Sequence, residues 1–235
     1  AVAVTAAPYA ATALAWGWTR GRPILPIGAP GTGAALEVTE VRSEGAAQRV
    51  RFASGLEVVV PLVGRFQVEN ALLAAGLAIA AGADGREALS AMAELSGVPG
   101  RLERIGSDPS RLVFVDYAHT DDALATVLDT LRAAVPGRLI CVFGCGGDRD
   151  KGKRPLMGAI AAEKADVVIV TDDNPRSEAP ATIRAEILAA APGATEIGDR
   201  GEAIRTAIMM LEAGDALVVA GKGHETGQII GERTY

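Results

Sequence analysis

Cysteine, histidine and lysine are scarce in this sequence. Its 235 residues include 2 cysteines and 2 histidines, and lysine occurs at four positions. Cys141 and Cys145 are too few for a disulfide framework, and their spacing without a neighbouring histidine fits no common zinc pattern. We therefore expect the protein to work in a reducing compartment, the cytoplasm, and we assign no metal-ligating residue in this chain.

Long hydrophobic runs are also lacking. The longest apolar stretch covers residues 71–83, short of the roughly 20 residues that span a bilayer, so it predicts a core helix and no membrane association. The first residues have no initiator methionine and no basic segment, unlike a signal peptide. Residues 2–4 instead have the pattern of an interior strand and residues 10–18 that of a following helix, so we expect the chain to begin inside a domain.

An excess of positive charge is missing too. The formal net charge is -6, which argues against a nucleic-acid binder that depends on neutralising phosphates. Residues 1–100 carry 7 basic and 8 acidic side chains, whereas residues 101–235 carry 16 and 21. We therefore expect a small-molecule partner and charged chemistry in the second part of the chain.

The chain changes its pattern near residue 97. Before that point, β-rich stretches precede two helical ones, and Asp84 is the expected N-cap of the second helix. The predicted strands are residues 23–27, 36–41, 50–53 and 56–62, and the predicted helices are residues 64–82 and 84–95. A Gly-Val-Pro-Gly segment at 97–100 interrupts the pattern. We therefore predict two domains, residues 1–97 and 98–235.

In the second domain, short β-branched runs alternate with helical stretches. The predicted strands are residues 112–115, 139–143, 167–171 and 216–220, and the predicted helices are residues 121–134, 155–164, 181–191 and 202–211. Continuous apolar strands separated by helices are typical of a parallel sheet covered on both faces. The sequence thus predicts an α/β protein with a mostly parallel sheet.

Ligands of such sheets bind beyond the carboxyl ends of the strands. Four segments follow predicted strands: residues 116–119 (DYAH), 144–149 (GCGGDR), 172–176 (DDNPR) and 221–225 (GKGHE). Both histidines and three of the four lysines fall in or next to them. This concentration of reactive side chains predicts a ligand site at that edge of the sheet.

The first two segments each have a functional and a structural interpretation. Asp116 can bind ribose hydroxyls or cap a helix, although Thr120 is better placed as the cap. His119 can contact a phosphate or simply be hydrogen-bonded.

Residues 147–154 nearly match a phosphate-binding loop, but Arg154 replaces the hydroxyl that would bind Mg²⁺. We reject that loop. Arg149 remains available for a carboxylate, or belongs to a solvated charge cluster.

The last two segments also carry charged side chains, and proline restricts the backbone of the first while glycines expose the backbone of the second. Pro175 makes residues 172–176 a rigid turn that aims Asn174 and Arg176, although a plain surface turn has a similar composition. In residues 221–225, two glycines expose the backbone while Lys222 and Glu225 offer both charges. Such density is seldom needed for a plain connection, so we favour a binding role.

Taken together, these segments resemble the Mur ligases, and among them the ligases that add meso-diaminopimelate. Six motifs carry the resemblance: residues 64–70 (GRFQVEN), 98–103 (VPGRLE), 115–120 (VDYAHT), 143–154 (FGCGGDRDKGKR), 172–178 (DDNPRSE) and 220–225 (AGKGHE). Gln67 departs from the asparagine that the family often has. Residues 1–20 match poorly.

The resemblance implies a domain plan. Residues 1–97 would be the C-terminal part of a central ATP-binding domain, and residues 98–235 a Rossmann-like domain that binds the incoming amino acid. The Walker A loop and a carbamylated lysine that helps to hold Mg²⁺ would lie upstream. We therefore expect the missing N-terminal part of the same enzyme as a partner, and no turnover by this fragment alone.

The resemblance also implies site residues. Those for the nucleotide would be Asn70, Arg101 and Asp116, with His119 as a further candidate. Those for meso-diaminopimelate would be Arg149, Asp173, Asn174, Pro175, Arg176, Gly221 and Glu225.

The activity implied is ATP-dependent ligation through an acyl phosphate. ATP, Mg²⁺, UDP-N-acetylmuramoyl-dipeptide and meso-diaminopimelate would be the small molecules involved, and the enzyme would be a monomer. Two alternatives stay open: a sister ligase that adds L-Lys, which Arg176 disfavours, and a non-catalytic amino-acid-binding module.

Overall fold

The computed structural model describes residues 3–6, 24–28 and 36–235. The chain divides into two compact units, Ala1–Ser96 and Gly97–Tyr235, whereas the sequence placed a boundary between residues 97 and 98. The helix predicted over residues 10–18 lies outside the described residues. No helix within the described ranges is both long and apolar enough to cross a membrane.

The first unit contains a sheet whose strands lie side by side in chain order. These are β1 (Ala3–Ala6), β2 (Ile24–Gly28), β3 (Leu36–Glu44), β4 (Ala47–Phe52) and β5 (Glu57–Val60). Pairing is parallel from β1 to β3 and antiparallel from β3 to β5. Alternate residues of β4 and β5, such as Val50 and Val58, enter the core, as the period of two in a strand requires.

Helices α1 (Arg65–Ala80) and α2 (Gly85–Ser90) follow β5 in this unit, and a 3₁₀ helix (Ala91–Glu94) comes after them. Asp84 caps α2 as predicted, because its Oδ1 accepts the amides of Arg86 and Glu87 at 2.9 and 3.0 Å. The single helix predicted over residues 84–95 is wrong in its second half, where the 3₁₀ turn replaces it.

The second unit is built on a sheet that confirms the α/β prediction. Its strands are β6 (Glu103–Ile105), β7 (Leu112–Asp116), β8 (Leu139–Phe143), β9 (Val167–Val170), β10 (Thr195–Glu196) and β11 (Ala216–Ala220). Their spatial order is β10-β9-β8-β11-β7-β6, with only the β6–β7 pair antiparallel. Every residue of β8 and β11 is buried, as expected of the centre of a parallel sheet.

Helices cover this sheet on both faces. They are α3 (Asp121–Ala134), α4 (Lys153–Lys164), α5 (Pro180–Leu188) and α6 (Arg200–Met209). Ala203 and Ala207 of α6 pack on Ile140 and Val142 of β8, while α3, α4 and α5 lie next to one another. A short antiparallel pair, β12 (Ile229–Ile230) and β13 (Arg233–Thr234), follows β11.

Candidate functional site

The sheet order brings the four chemically rich segments together. Strands β9, β8, β11 and β7 are consecutive neighbours and parallel, so their carboxyl ends share one edge. A cleft of about 380 Å³ opens there. Its lining includes these predicted site residues: His119, Arg149, Asp173, Asn174, Arg176, Gly221 and Glu225.

Asn174 lies at the centre of a polar network in this cleft. Its side chain donates to Glu225 Oε2 at 2.8 Å and accepts from Lys222 Nζ and the Ile229 amide, both at 2.8 Å. Lys222 Nζ also donates to Glu225 Oε2 at 3.0 Å. Because Asn174 is buried and hydrogen-bonded on both ends of its amide, its orientation is fixed.

Glu225 is held as a carboxylate. Burial by itself would raise the pKa of Glu225, but the hydrogen bonds from Asn174 and Lys222 and the charges of Lys222 and Arg176 outweigh burial and lower that pKa below its ordinary value. A partly exposed carboxylate that is held in place by the Asn174 amide is suited to an ammonium group. Glu225 can therefore bind an ammonium at neutral pH.

Arg176 projects from a strained backbone position. Its φ of 52° lies in the left-handed region, which costs roughly 1–2 kcal/mol for a residue with a Cβ. Its Nη1 donates to the carbonyls of Gly147 and Asn174 at 2.9 and 3.3 Å, and its backbone pairs with Ile230. Since both side-chain bonds come from Nη1, the guanidinium is oriented and its other edge is suited to a planar carboxylate.

The glycines of residues 144–147 let this loop touch the turn that carries Arg176. A Cβ on Gly144 would lie 2.1 Å from the Thr171 carbonyl oxygen, and one on Gly147 would lie 1.9 Å from that of Pro175. The Gly147 amide also donates to the Asn174 carbonyl at 2.9 Å. Only glycine permits this approach, so the loop and the turn form one surface.

Arg149 follows that contact and lines the cleft. Its Nη1 donates to the Asp148 carbonyl at 2.9 Å, and its side chain is exposed. Pro175, within the turn of residues 172–176, is buried and contacts Gly147. Asp173 is buried and approaches Gly221, whose φ of 111° favours glycine. The structure thus brings together all seven residues predicted for an amino-acid ligand.

The residues predicted for a nucleotide belong to both units, with Asn70 in the first and Arg101, Asp116 and His119 in the second. Asp116 is buried, and its two oxygens accept the amides of Leu102 and Ala118, both at 2.6 Å; burial raises its pKa despite these bonds. Its observed role is to tie the 100–103 turn to β7. Arg101 lies over the Tyr117 ring at 4.5 Å.

His119 and Asn70 complete the predicted nucleotide set. His119 Nδ1 lies 2.9 Å from the Tyr117 carbonyl, and the carbonyl of His119 accepts from Lys153 at 2.7 Å. Asn70 belongs to the first unit, where it is exposed on α1. Its role toward a nucleotide stays a prediction.

An ionic network next to the cleft was not predicted from the sequence. Arg154, singled out only because it spoils a phosphate loop, is fully buried and pairs with Glu178 and Glu186. The arginine hydrogen bonds are the leading reason why the pKa of Glu178 falls to about 2. One sequence feature could have indicated this network: Arg154 is a charged residue at the second position of a helix, directly after a glycine-rich loop.

Metal-ligating side chains do not cluster in this part of the molecule. Within residues 3–6, 24–28 and 36–235, no three side chains of His, Cys, Asp or Glu are grouped as a metal site would require. Asp148, the most obvious acidic candidate in the loop, accepts hydrogen bonds from Ser177 instead, and these lower its pKa.

Comparisons with known proteins agree with this geometry. Residues 100–223 match the family described as Mur ligase, glutamate ligase domain. A relative from Rhizobium meliloti, named UDP-N-acetylmuramoyl-L-alanyl-D-glutamate--2,6-diaminopimelate ligase, is 53% identical over 228 residues, which are 96% of this chain and 47% of the relative. A protein of the same name from Agrobacterium fabrum is 60% identical over 179 residues, 76% of this chain and 37% of that protein.

A solved structure bearing the same enzyme name is also similar. It superposes with a TM-score of 0.72 at 38% identity, covering 100% of this chain and 50% of that one. The chain thus spans about half the length of the relatives it matches. Since the family match covers more than half of the chain, the chain belongs to the Mur ligase family.

Proposed function

We propose that this chain is the amino-acid-binding portion of an ATP-dependent ligase that adds meso-diaminopimelate to UDP-N-acetylmuramoyl-L-alanyl-D-glutamate. The observation that carries the proposal is the shared cleft of Arg176, Arg149 and Glu225. Residues 1–96 would be the end of the ATP-binding domain, and an N-terminal part of the same enzyme would supply the rest. The reaction would belong to peptidoglycan precursor synthesis in the cytoplasm, catalysed by a monomer.

The proposal rests on charge complementarity. meso-Diaminopimelate has two carboxylates and two ammonium groups, so each end of the molecule is a zwitterion. The guanidinium groups of Arg176 and Arg149 suit a carboxylate, and Glu225 with the Gly221 carbonyl suits an ammonium. Asn174 and Asp173 would fix the orientation of this pocket through the bonds that they make within it.

The same charge complementarity predicts rejection of L-Lys. Lysine has the distal ammonium but no distal carboxylate, so the half-buried Arg176 would lose its carboxylate partner. Because Arg176 is partly exposed, we expect a cost of about 2–3 kcal/mol, which corresponds to roughly 30- to 160-fold discrimination.

In the reaction, ATP with Mg²⁺ would convert the D-Glu side-chain carboxylate into an acyl phosphate. The free amine of diaminopimelate would then attack the acyl carbon and release phosphate. The role of this chain is to orient that amine, since a correct near-attack geometry supplies much of the acceleration in two-substrate reactions.

Four residues are assigned to the nucleotide. Arg101, oriented by the Tyr117 ring at 4.5 Å, fits a phosphate oxygen, and His119, whose ring centroid lies 4.6 Å from that of Tyr117, offers a second polar group. Asp116 retains acceptor capacity for a ribose hydroxyl beyond its two amide bonds. Asn70 would contact the adenine. We assign the Mg²⁺ ligands to the N-terminal part.

The deciding experiment measures amino-acid-dependent phosphate release by the full-length enzyme with meso-diaminopimelate, L-Lys and L-ornithine. We expect release with meso-diaminopimelate alone. Release with L-Lys alone would replace the proposal by the sister ligase. Binding of meso-diaminopimelate without phosphate release would indicate a non-catalytic module.

A further inference from the structure

The fully buried Arg154 is the starting point. Its Nη2 donates to Glu178 Oε1 at 2.9 Å and its Nη1 to Glu178 Oε2 at 3.1 Å, a bidentate pair. Nη1 also donates to Glu186 Oε2 at 2.7 Å, while Nε is buried without a hydrogen-bond partner among the described residues. Burying a guanidinium is costly and such pairs often add little net stability, so this arrangement calls for another explanation.

Both members of the pair also bind the loop that carries Arg149. Glu178 Oε1 accepts the Asp148 amide at 2.7 Å, and Arg154 Nη2 donates to the Gly146 carbonyl at 3.3 Å. Asp148 has a φ of 55°, in the left-handed region. Its unusual backbone is thus fixed directly by the carboxylate that Arg154 orients.

Two more hydrogen bonds join the loop to the turn, and in these a loop carboxylate is the acceptor. The Asp148 carboxylate accepts from the Ser177 hydroxyl at 2.7 Å and from the Ser177 amide at 3.1 Å. Asp148 immediately precedes Arg149, and Ser177 immediately follows Arg176. Hydrogen bonds therefore hold the loop and the turn together next to each of the two arginines that line the cleft.

We propose that Arg154 and Glu178 are positioning residues that set the spacing between Arg149 and Arg176 and thereby select a ligand with a distal carboxylate. The ligand's identity rests on the proposed function above. Neither Arg154 nor Glu178 lines the cleft, so they act through the loop and the turn. Arg154 lies in the first turn of α4 and connects that helix to the turn through its pairing with Glu178.

Glu186 provides a matched control. It lies on α5 and pairs with the same arginine at 2.7 Å, but within the described residues it makes no hydrogen bond to the loop or the turn. Glu178→Ala and Glu186→Ala therefore each remove one carboxylate from Arg154, yet only the first removes an acceptor from Asp148. Ser177→Ala is a milder variant that removes one loop-to-turn bond without disturbing the buried pair.

The test compares the three variants in the full-length enzyme. Loss of a charge-assisted hydrogen bond is worth about 1.5–3 kcal/mol, so we expect Glu178→Ala to raise the KM for meso-diaminopimelate at least about 10-fold. We expect Ser177→Ala to raise it by a smaller factor and Glu186→Ala to leave it unchanged. The KM for ATP should stay unchanged in all three.

Amide hydrogen exchange of residues 146–149 gives a readout that does not depend on activity. We expect faster exchange in Glu178→Ala and Ser177→Ala, and wild-type exchange in Glu186→Ala. Equal KM changes in the Glu178 and Glu186 variants, or unchanged exchange in the first two, would overturn the positioning role. If the wild-type enzyme released no phosphate with meso-diaminopimelate, the proposed function would fail, and exchange would still decide whether the pair holds the loop.

Discussion

Removing the Arg176 guanidinium is the most direct test of the proposed ligand. The side chain is half-buried and its orientation is fixed by two carbonyls. Truncating one partner of a buried charge pair costs 2–5 kcal/mol, and partial exposure favours the low end, so we expect about 2–3 kcal/mol in binding. That corresponds to a KM for meso-diaminopimelate raised roughly 30- to 160-fold by Arg176→Ala.

The assay is phosphate release with one substrate varied while the others are saturating. Because Arg176 lines the cleft that we propose for the amino acid, the KM for ATP should change little. Arg176→Gly is the matched variant, since it loses the same guanidinium but relieves the backbone at φ 52°. It should show the same rise in KM while being more stable to urea than Arg176→Ala by about 1 kcal/mol.

Two results would refute this reasoning. Equal increases in the KM for ATP and for meso-diaminopimelate would mean that Arg176 supports the fold as a whole and not the amino-acid site. A KM restored in the glycine variant would mean that backbone strain, and not the guanidinium, governs binding.

Three further predictions concern packing and charge. Gly147→Ala would place a Cβ 1.9 Å from the Pro175 carbonyl oxygen, so we expect weaker meso-diaminopimelate binding by calorimetry and a lower Tm. Gly85→Ala is the control: its Cβ would have its nearest neighbour 3.9 Å away, so the binding affinity and the Tm should stay unchanged. Asp215→Ala removes a buried acceptor of Arg138 at the opposite edge of the sheet; unfolding in urea should show a loss of about 3 kcal/mol with an unchanged KM. The pKa of Glu178 is lowered from 4.5 to about 2, so its contribution is complete above pH 4.5 and is lost as the pH falls toward 2. Thermal melts should therefore show a smaller acid-induced fall in Tm for Glu178→Gln than for wild type. An equal fall in Tm in both proteins would contradict a stabilising ion pair between Glu178 and Arg154.

Much of the second unit could be predicted because its local patterns are unambiguous. The apolar runs of β8 and β11 and the helix from Asp121 to Ala134 appear with the predicted bounds, and Thr120 caps that helix as expected. The short strands β6 and β10 were not predicted. They contain exposed polar residues and depend on pairing with β7 and β9, which no local pattern reveals.

The candidate site was likewise predicted only in part. The sequence by itself determined which residues follow the strands, and parallel strands must place those residues at one edge. Only the tertiary structure decided that β11 returns between β8 and β7, which makes the four segments neighbours. It alone also revealed the burial of Arg154 and its pairing with Glu178, 24 residues away. Such a contact depends on how a helix and a turn pack in space, and hydrophobic periodicity contains no information about it.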